Sequence, residues 1–266
     1  VVHIANRGMN EKNNLHNVTG EEITAIIYQK SNAVAAAFYK AYGSEIDDLA
    51  GDLAMSFTLA ANATDREEAD QLSDADYQSA YIFWSAFNSI MAALELFIRG
   101  YAKEPQVLTR HVLEIACMAI DIHFNPNKLQ LFRDGKLKST ESIGVAKRLL
   151  PVIGPMNGLL SNFHVHGSVL HSLPQGDYSS NRGSSWIGGG YKEHQRKSHL
   201  LTLSNLILTT DVVSAMLEFL LRDEVSDRRY WHDKDGGYVH GPLQRIKDRS
   251  DVIMESLREE FEGVVD

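Results

Sequence analysis

The sequence predicts an all-α protein, a helical bundle, on three observations. Apolar residues recur at helical spacing along most of the chain, long alternating β-branched runs are missing, and capping signals open the apolar stretches. Hydrophobic residues make up 44% of 266 and charged residues 23%, the proportions of a globular protein with a sizeable core. No repeat or composition break divides the chain, so residues 1–266 read as a single α-helical domain.

Each element has its own signal. Thr19-Gly-Glu-Glu22 is a capping box that opens a helix to about Tyr42. Ser44-Glu-Ile-Asp47 opens a second, ending near Asn62. After the acidic link "ATDREEADQ", Ser73-Asp-Ala-Asp76 opens the longest apolar helix, which Arg99-Gly100 closes. Pro105 suits the first turn of the next helix, and Asn125-Pro126 stops it after Phe124. Shorter helices are expected over residues 128–133, 140–150 and 155–164. Residues 172–195 form a long Gly/Ser-rich loop, of a length that suits a lid, a binding loop or a surface connection. Residues 198–222 are again strongly apolar and helical. Asp235-Gly236, flanked by aromatic residues, centres a small β-hairpin. It is read as a turn because a calcium loop would need Glu where Gln244 stands. An amphipathic helix over residues 242–262 is the last element.

A net charge of −9 argues against attachment to nucleic acid by overall basicity and leaves room for a local basic groove. The single cysteine, Cys117, has no partner for an internal disulfide, which suits a reducing, cytoplasmic setting. The opening "VVHIANRGMN" has no basic-then-apolar segment of the export type. Residues 77–94 carry no charge, yet Gln78, Ser79, Ser85, Asn88 and Ser89 make a buried core helix the better reading than a membrane span. No membrane association is expected.

Polar residues on these apolar helices are the candidate site. Tyr81, Ser85, Asn88, Glu95 and Arg99 share one face of the longest helix. On the next helix, Arg110, Glu114, Cys117 and Asp121 form one stripe. Arg110 and Glu114 have the spacing of a solvated ion pair. Alternatively they turn inward beside Glu95 and make a polar pocket between helices. Ser204, Asp211, Ser214, Glu218 and Arg222 repeat the theme along residues 198–222. No Glu-x-x-His occurs, so a ferritin-like di-iron centre is not expected.

"SNFHVHGSVLH" places His164, His166 and His171 close together. A metal would need the first two on extended backbone and a third or fourth ligand from His171, His194 or His199, so these histidines are more readily hydrogen-bonded or solvent-facing groups at a helix end. No cofactor is expected. In "YKEHQRKSH", Lys192, Arg196 and Lys197 gather with two histidines at a helix start, where they could hold a phosphate or form an ordinary solvated patch. No Gly-x-Ser-x-Gly elbow or P-loop is present.

"LTRHVLEIACMAIDIHFNPNKLQLF", followed by "LLSNFHVHGS", resembles a group of uncharacterised bacterial helical proteins that looks related to the HEPN superfamily. The resemblance covers about residues 77–171. It implies a HEPN-like bundle core, and its active members are metal-independent ribonucleases with paired Arg and His. Carried onto this chain, the motif positions are Arg110, Glu114 and His166, with Ser168 as the closing serine. The resemblance thus implies RNA or a nucleotide as ligand, with Arg110 stabilising phosphate charge, His166 or His164 moving a proton, and Glu114 or Glu95 orienting them. Asn88, Ser168, Lys192, Arg196 and Lys197 would line the ligand site. Such bundles also suggest a homodimer. Two other readings stand beside it: a non-catalytic ligand- or protein-binding module with a polar interhelical pocket, and a metal-dependent hydrolase using His164, His166 and His171.

Overall fold

The computed structural model describes residues 2–4, 19–25, 28, 31–64, 72–101, 103–161, 176–177, 184–187, 189–223, 229–234 and 237–240. The protein is an all-α bundle. Among the described residues its helices are α1 (Gly20–Ala25), α2 (Ser31–Thr64), α3 (Asp74–Ile98), α4 (Glu104–Phe124), α5 (Leu129–Arg133), α6 (Ser139–Leu149), α7 (Ile153–Leu160) and α8 (Arg196–Leu220). Helices α2, α3, α4 and α8 pack around a core that includes Phe38, Phe83, Phe87 and Phe97, all with no solvent exposure. Full burial of a ring of this size stabilises by roughly 2–3 kcal/mol.

The capping signals expected at Thr19 and Ser73 are formed. Thr19 and Glu22 bond reciprocally at the start of α1. Ser73 accepts from the Asp76 backbone N–H and caps α3, and Gly100 (φ +83°) closes it. Pro105 sits in the first turn of α4, and Pro126 begins a 3-10 turn just after that helix ends. One boundary is corrected. The helix break expected between Tyr42 and Ser44 is a kink inside α2, where only Tyr42 leaves helical geometry (φ −136°, ψ 21°). Tyr42 is buried against Phe38 and Phe97, and the Tyr39 hydroxyl donates to Asp47 across the bend, so packing carries the helix through.

Short strands accompany the bundle. The loop expected over residues 172–195 contains strands β2 (Gly176–Asp177) and β3 (Ser184–Ile187), and β3 also pairs antiparallel with β1 (Val2–Ile4). The expected hairpin is formed by β4 (Trp231–Lys234) and β5 (Gly237–His240), with Lys234 opposite Gly237. The helix expected over residues 242–262 lies outside the described residues.

The Gly-Gly-Gly run before Tyr191 has a packing role. The Gly190 N–H donates to the Gly100 carbonyl, and a β-carbon on Gly189 would stand 1.8 Å from the Arg99 carbonyl oxygen. Only glycine lets the chain cross the end of α3 this closely before it enters α8.

Candidate functional site

The buried polar groups of α8 face other parts of the fold. Glu218, 3% exposed, accepts backbone N–H groups from Arg229, Tyr230 and Trp231 at 2.7–2.8 Å. Asp211, fully buried, accepts the Tyr230 hydroxyl at 2.9 Å, and burial followed by this carboxylate's charge pushes the Tyr230 phenol well up. Arg229 reaches across to Asp52 of α2 at 2.6 Å. The Trp231 indole donates to the Ala215 carbonyl. Together these bonds hold the strand that begins at Trp231 against α8. A carboxylate taken out of water needs several such partners, because its desolvation costs several kcal/mol, on the order of.

Two further seams are polar in the same way. Gln106 of α4 donates to Thr202 and accepts from Asn205 of α8, and Ser56 of α2 bonds Ser214 of α8. Asp121, fully buried at the end of α4, accepts from Lys128, Asn125 and Ser142, and so fixes the chain reversal into α6. Among the described residues no group of three or more His, Cys, Asp or Glu is arranged to hold a metal.

Among the described residues, Arg110, Glu114 and Glu95 do not assemble into one pocket. Arg110 and Glu114 pair with each other at 3.0 Å, half-buried, within α4. Glu95 pairs with Arg99 within α3 and is 65% exposed at its side chain. Ser79 marks the side of α3 that touches α4, through the Ala119 carbonyl, and Glu95 lies roughly 160° round the helix from it. The expected pocket joining Glu95 to Arg110 and Glu114 is therefore corrected to two separate intrahelical pairs. Cys117, one turn beyond Glu114 on α4, is buried; burial first and the Glu114 charge second push its thiol up to about 12, which makes it inert.

Arg196 lies on the solvent side at the start of α8, 3.8 Å from Glu193, and Lys192 precedes it. The side chains of Lys197 and His194 are outside the described residues, as are His164, His166, Ser168 and His171. His199 faces inward, 2% exposed, against Phe38 and Tyr191, with its Nδ1 3.3 Å from the Tyr42 hydroxyl. That places it in the core and away from the metal and phosphate roles weighed for it.

Two features went unread in the sequence. The first joins three helix ends: His123 of α4 bonds Asp76 of α3 through Nδ1, and the Arg222 guanidinium lies 3.2 Å from His123 Nε2. Burial would raise the Asp76 carboxyl, but hydrogen bonds from His123 and Ser73 and the charges of His123 and Arg222 outweigh it and hold it below its usual value. A short α3–α4 connection makes the two helices antiparallel, so an acid at the start of one and a histidine at the end of the other was the available signal.

The second is the direction in which the polar face of α3 turns, which is outward. Tyr77, Tyr81, Trp84, Ser85, Asn88, Met91 and Ala92 are all exposed, and none is charged. At one end of this face lies a groove of about 290 Å³ between Asn32 and Ala35 of α2 and Met91, Glu95, Ile98 and Arg99 of α3. Asn88, at the middle, donates to the Trp84 carbonyl. By length and composition, α3 and residues 198–220 of α8 are apolar enough to cross a membrane, though most of the latter is buried in the bundle. Comparison with protein-family models, with curated proteins and with solved structures finds no match.

Proposed function

We propose that this chain is a non-catalytic helical binding module that recognises another protein through the outer face of α3. The observation that carries this reading is the contrast in how polar groups are used. Asp52, Asp121, Asp211 and Glu218 are spent on hydrogen bonds inside the fold. The uncharged face of α3, with its Tyr, Trp and Met side chains, stays open to solvent. Aromatic residues and methionine are the side chains enriched at protein interfaces.

A second reading has one observation in its favour. Arg222, His123 and Asp76 supply a cation, an imidazole and an orienting carboxylate within hydrogen-bond reach. In phosphodiester cleavage His123 would accept the attacking hydroxyl's proton and Arg222 would neutralise the phosphate. The Arg222–His123 contact must open first, because it occupies the nitrogen that takes the proton.

Incubation of the purified protein with mixed RNA in EDTA tests the two readings. The binding-module reading predicts no cleavage. Cleavage lost in His123→Gln and Arg222→Ala would replace it with the nuclease reading at the helix ends. Cleavage lost in Arg110→Ala and His166→Ala would place that chemistry at the HEPN-like motif residues.

A further inference from the structure

We infer that the partner of the α3 face is a second copy of this chain, docked antiparallel about a two-fold axis at Asn88. The inference rests on the binding-module reading and names its partner.

The pattern on α3 is self-complementary. Seven residues separate Tyr81 from Asn88, and seven more separate Asn88 from Glu95. A two-fold at Asn88 therefore lays Tyr81 of one copy over Glu95 of the other, about 10 Å along the helix from the axis. Glu95 also borders the groove of about 290 Å³ between α2 and α3, which lies on the Met91 and Trp84 side of the axis, so the Trp84 indole of the other copy covers its mouth. The Tyr81 hydroxyl lies over the Glu95 carboxylate, which can accept a hydrogen bond from it. The same operation sets Tyr77 against Arg99, a cation over a ring, and Trp84 against Met91 and Ala92, a sulfur–aromatic contact. Ser85, Asn88 and Ala92 are small and central, so the two axes can approach to roughly the usual 8–10 Å. An isologous contact must be built this way, with each feature meeting its own complement.

Charge sets where such a contact can form. Two chains of net charge −9 repel, so a self-contact is favoured where charge is lowest, and residues 77–94 carry none. Antiparallel docking also brings Arg99, at the end of α3, toward the acidic first turn that holds Asp74 of the other copy. Size fits as well. Tyr77, Tyr81, Trp84 and Met91 are 41%, 56%, 36% and 50% exposed. These four side chains alone leave on the order of 400 Å² open. That is about half of the ~800 Å² that each partner gives to a standard interface, before the small central residues and the α2 side of the groove are added.

Sedimentation equilibrium of the whole protein over a wide concentration range tests this, with Asn88→Arg and an Asn88→Cys variant under mild oxidation. The expected mass is twice the 29.7 kDa of the chain at high concentration. Asn88→Arg should weaken association by about a hundredfold or more, because it sets two like charges across the axis, with the helical circular dichroism unchanged. Asn88→Cys should cross-link to itself, whereas a control cysteine at the exposed Glu141 of α6 should not; buried Cys117 does not compete. A monomer at every concentration, or a dimer indifferent to Asn88→Arg, would overturn the inference. A monomer that floats with phosphatidylcholine vesicles would overturn it in favour of lipid. Failure here is separable from failure of the parent reading, since RNA cleavage by a dimer would sink the module reading and leave the interface standing.

Discussion

Helices α3 and α8 are the two helices of the described chain with a stretch long and apolar enough to cross a membrane, and each contains 25 residues. They use their polar residues in opposite ways. In α8, Thr202, Asn205, Asp211, Ser214 and Glu218 are buried and bonded to α2, to α4 or to the residues beginning at Arg229. In α3, Ser85, Asn88 and Glu95 point to solvent, on the face that also carries the exposed rings of Tyr77, Tyr81 and Trp84. A polar group inside a bundle locks neighbouring elements in register, while the same spacing on the outside leaves a surface ready for a partner. Composition alone does not separate the two cases.

The largest break in that comparison comes from Glu218→Ala. It strips three backbone N–H groups of their acceptor in a buried setting and should cost about 3–5 kcal/mol, read from urea unfolding. Gly189→Ala comes next, because its methyl group meets the Arg99 carbonyl oxygen and forces the crossing between α3 and the approach to α8 to move. A loss of about 2–3 kcal/mol, measured as a lower Tm, is expected.

Third, His123→Ala should cost about 1–2 kcal/mol at neutral pH by removing the His123 hydrogen bond from Asp76. The sign of its pH dependence follows from Asp76, whose folded pKa lies below the ordinary 3.8. Its stabilisation is present above that value and is lost as pH falls through the lower folded value. The variant should therefore lose less stability than the wild type over that acid window. Smallest in stability is Asn88→Arg, within about 0.5 kcal/mol as an exposed surface change, although it should strongly weaken association.

Local signals made much of the fold legible. Ser73 with Asp76, Gly100, and Asn125-Pro126 are short-range devices, and each sets the boundary that its chemistry dictates. The Ser44-x-x-Asp47 pattern misled because Asp47 is engaged by the Tyr39 hydroxyl and buried Tyr42 holds the two helical pieces together. The site was less legible for a physical reason. Periodicity places Tyr81, Asn88, Glu95 and Arg99 on one face of α3 but gives no sign of which side that face turns to when the rest of the helix is apolar. Glu218 shows the converse limit: its partners are backbone groups eleven to thirteen residues further on, which no helical spacing reveals.

The central claim is that the polar groups of α8 hold the fold while the face of α3 holds a partner. Hydroxyl-radical footprinting of the wild type at low and high protein concentration tests it most directly. The account predicts that Tyr81, Trp84 and Met91 become protected together as concentration rises, while exposed Leu131 and Leu159 on α5 and α7 keep one level of oxidation. Equal oxidation of Tyr81, Trp84 and Met91 at every concentration would contradict it.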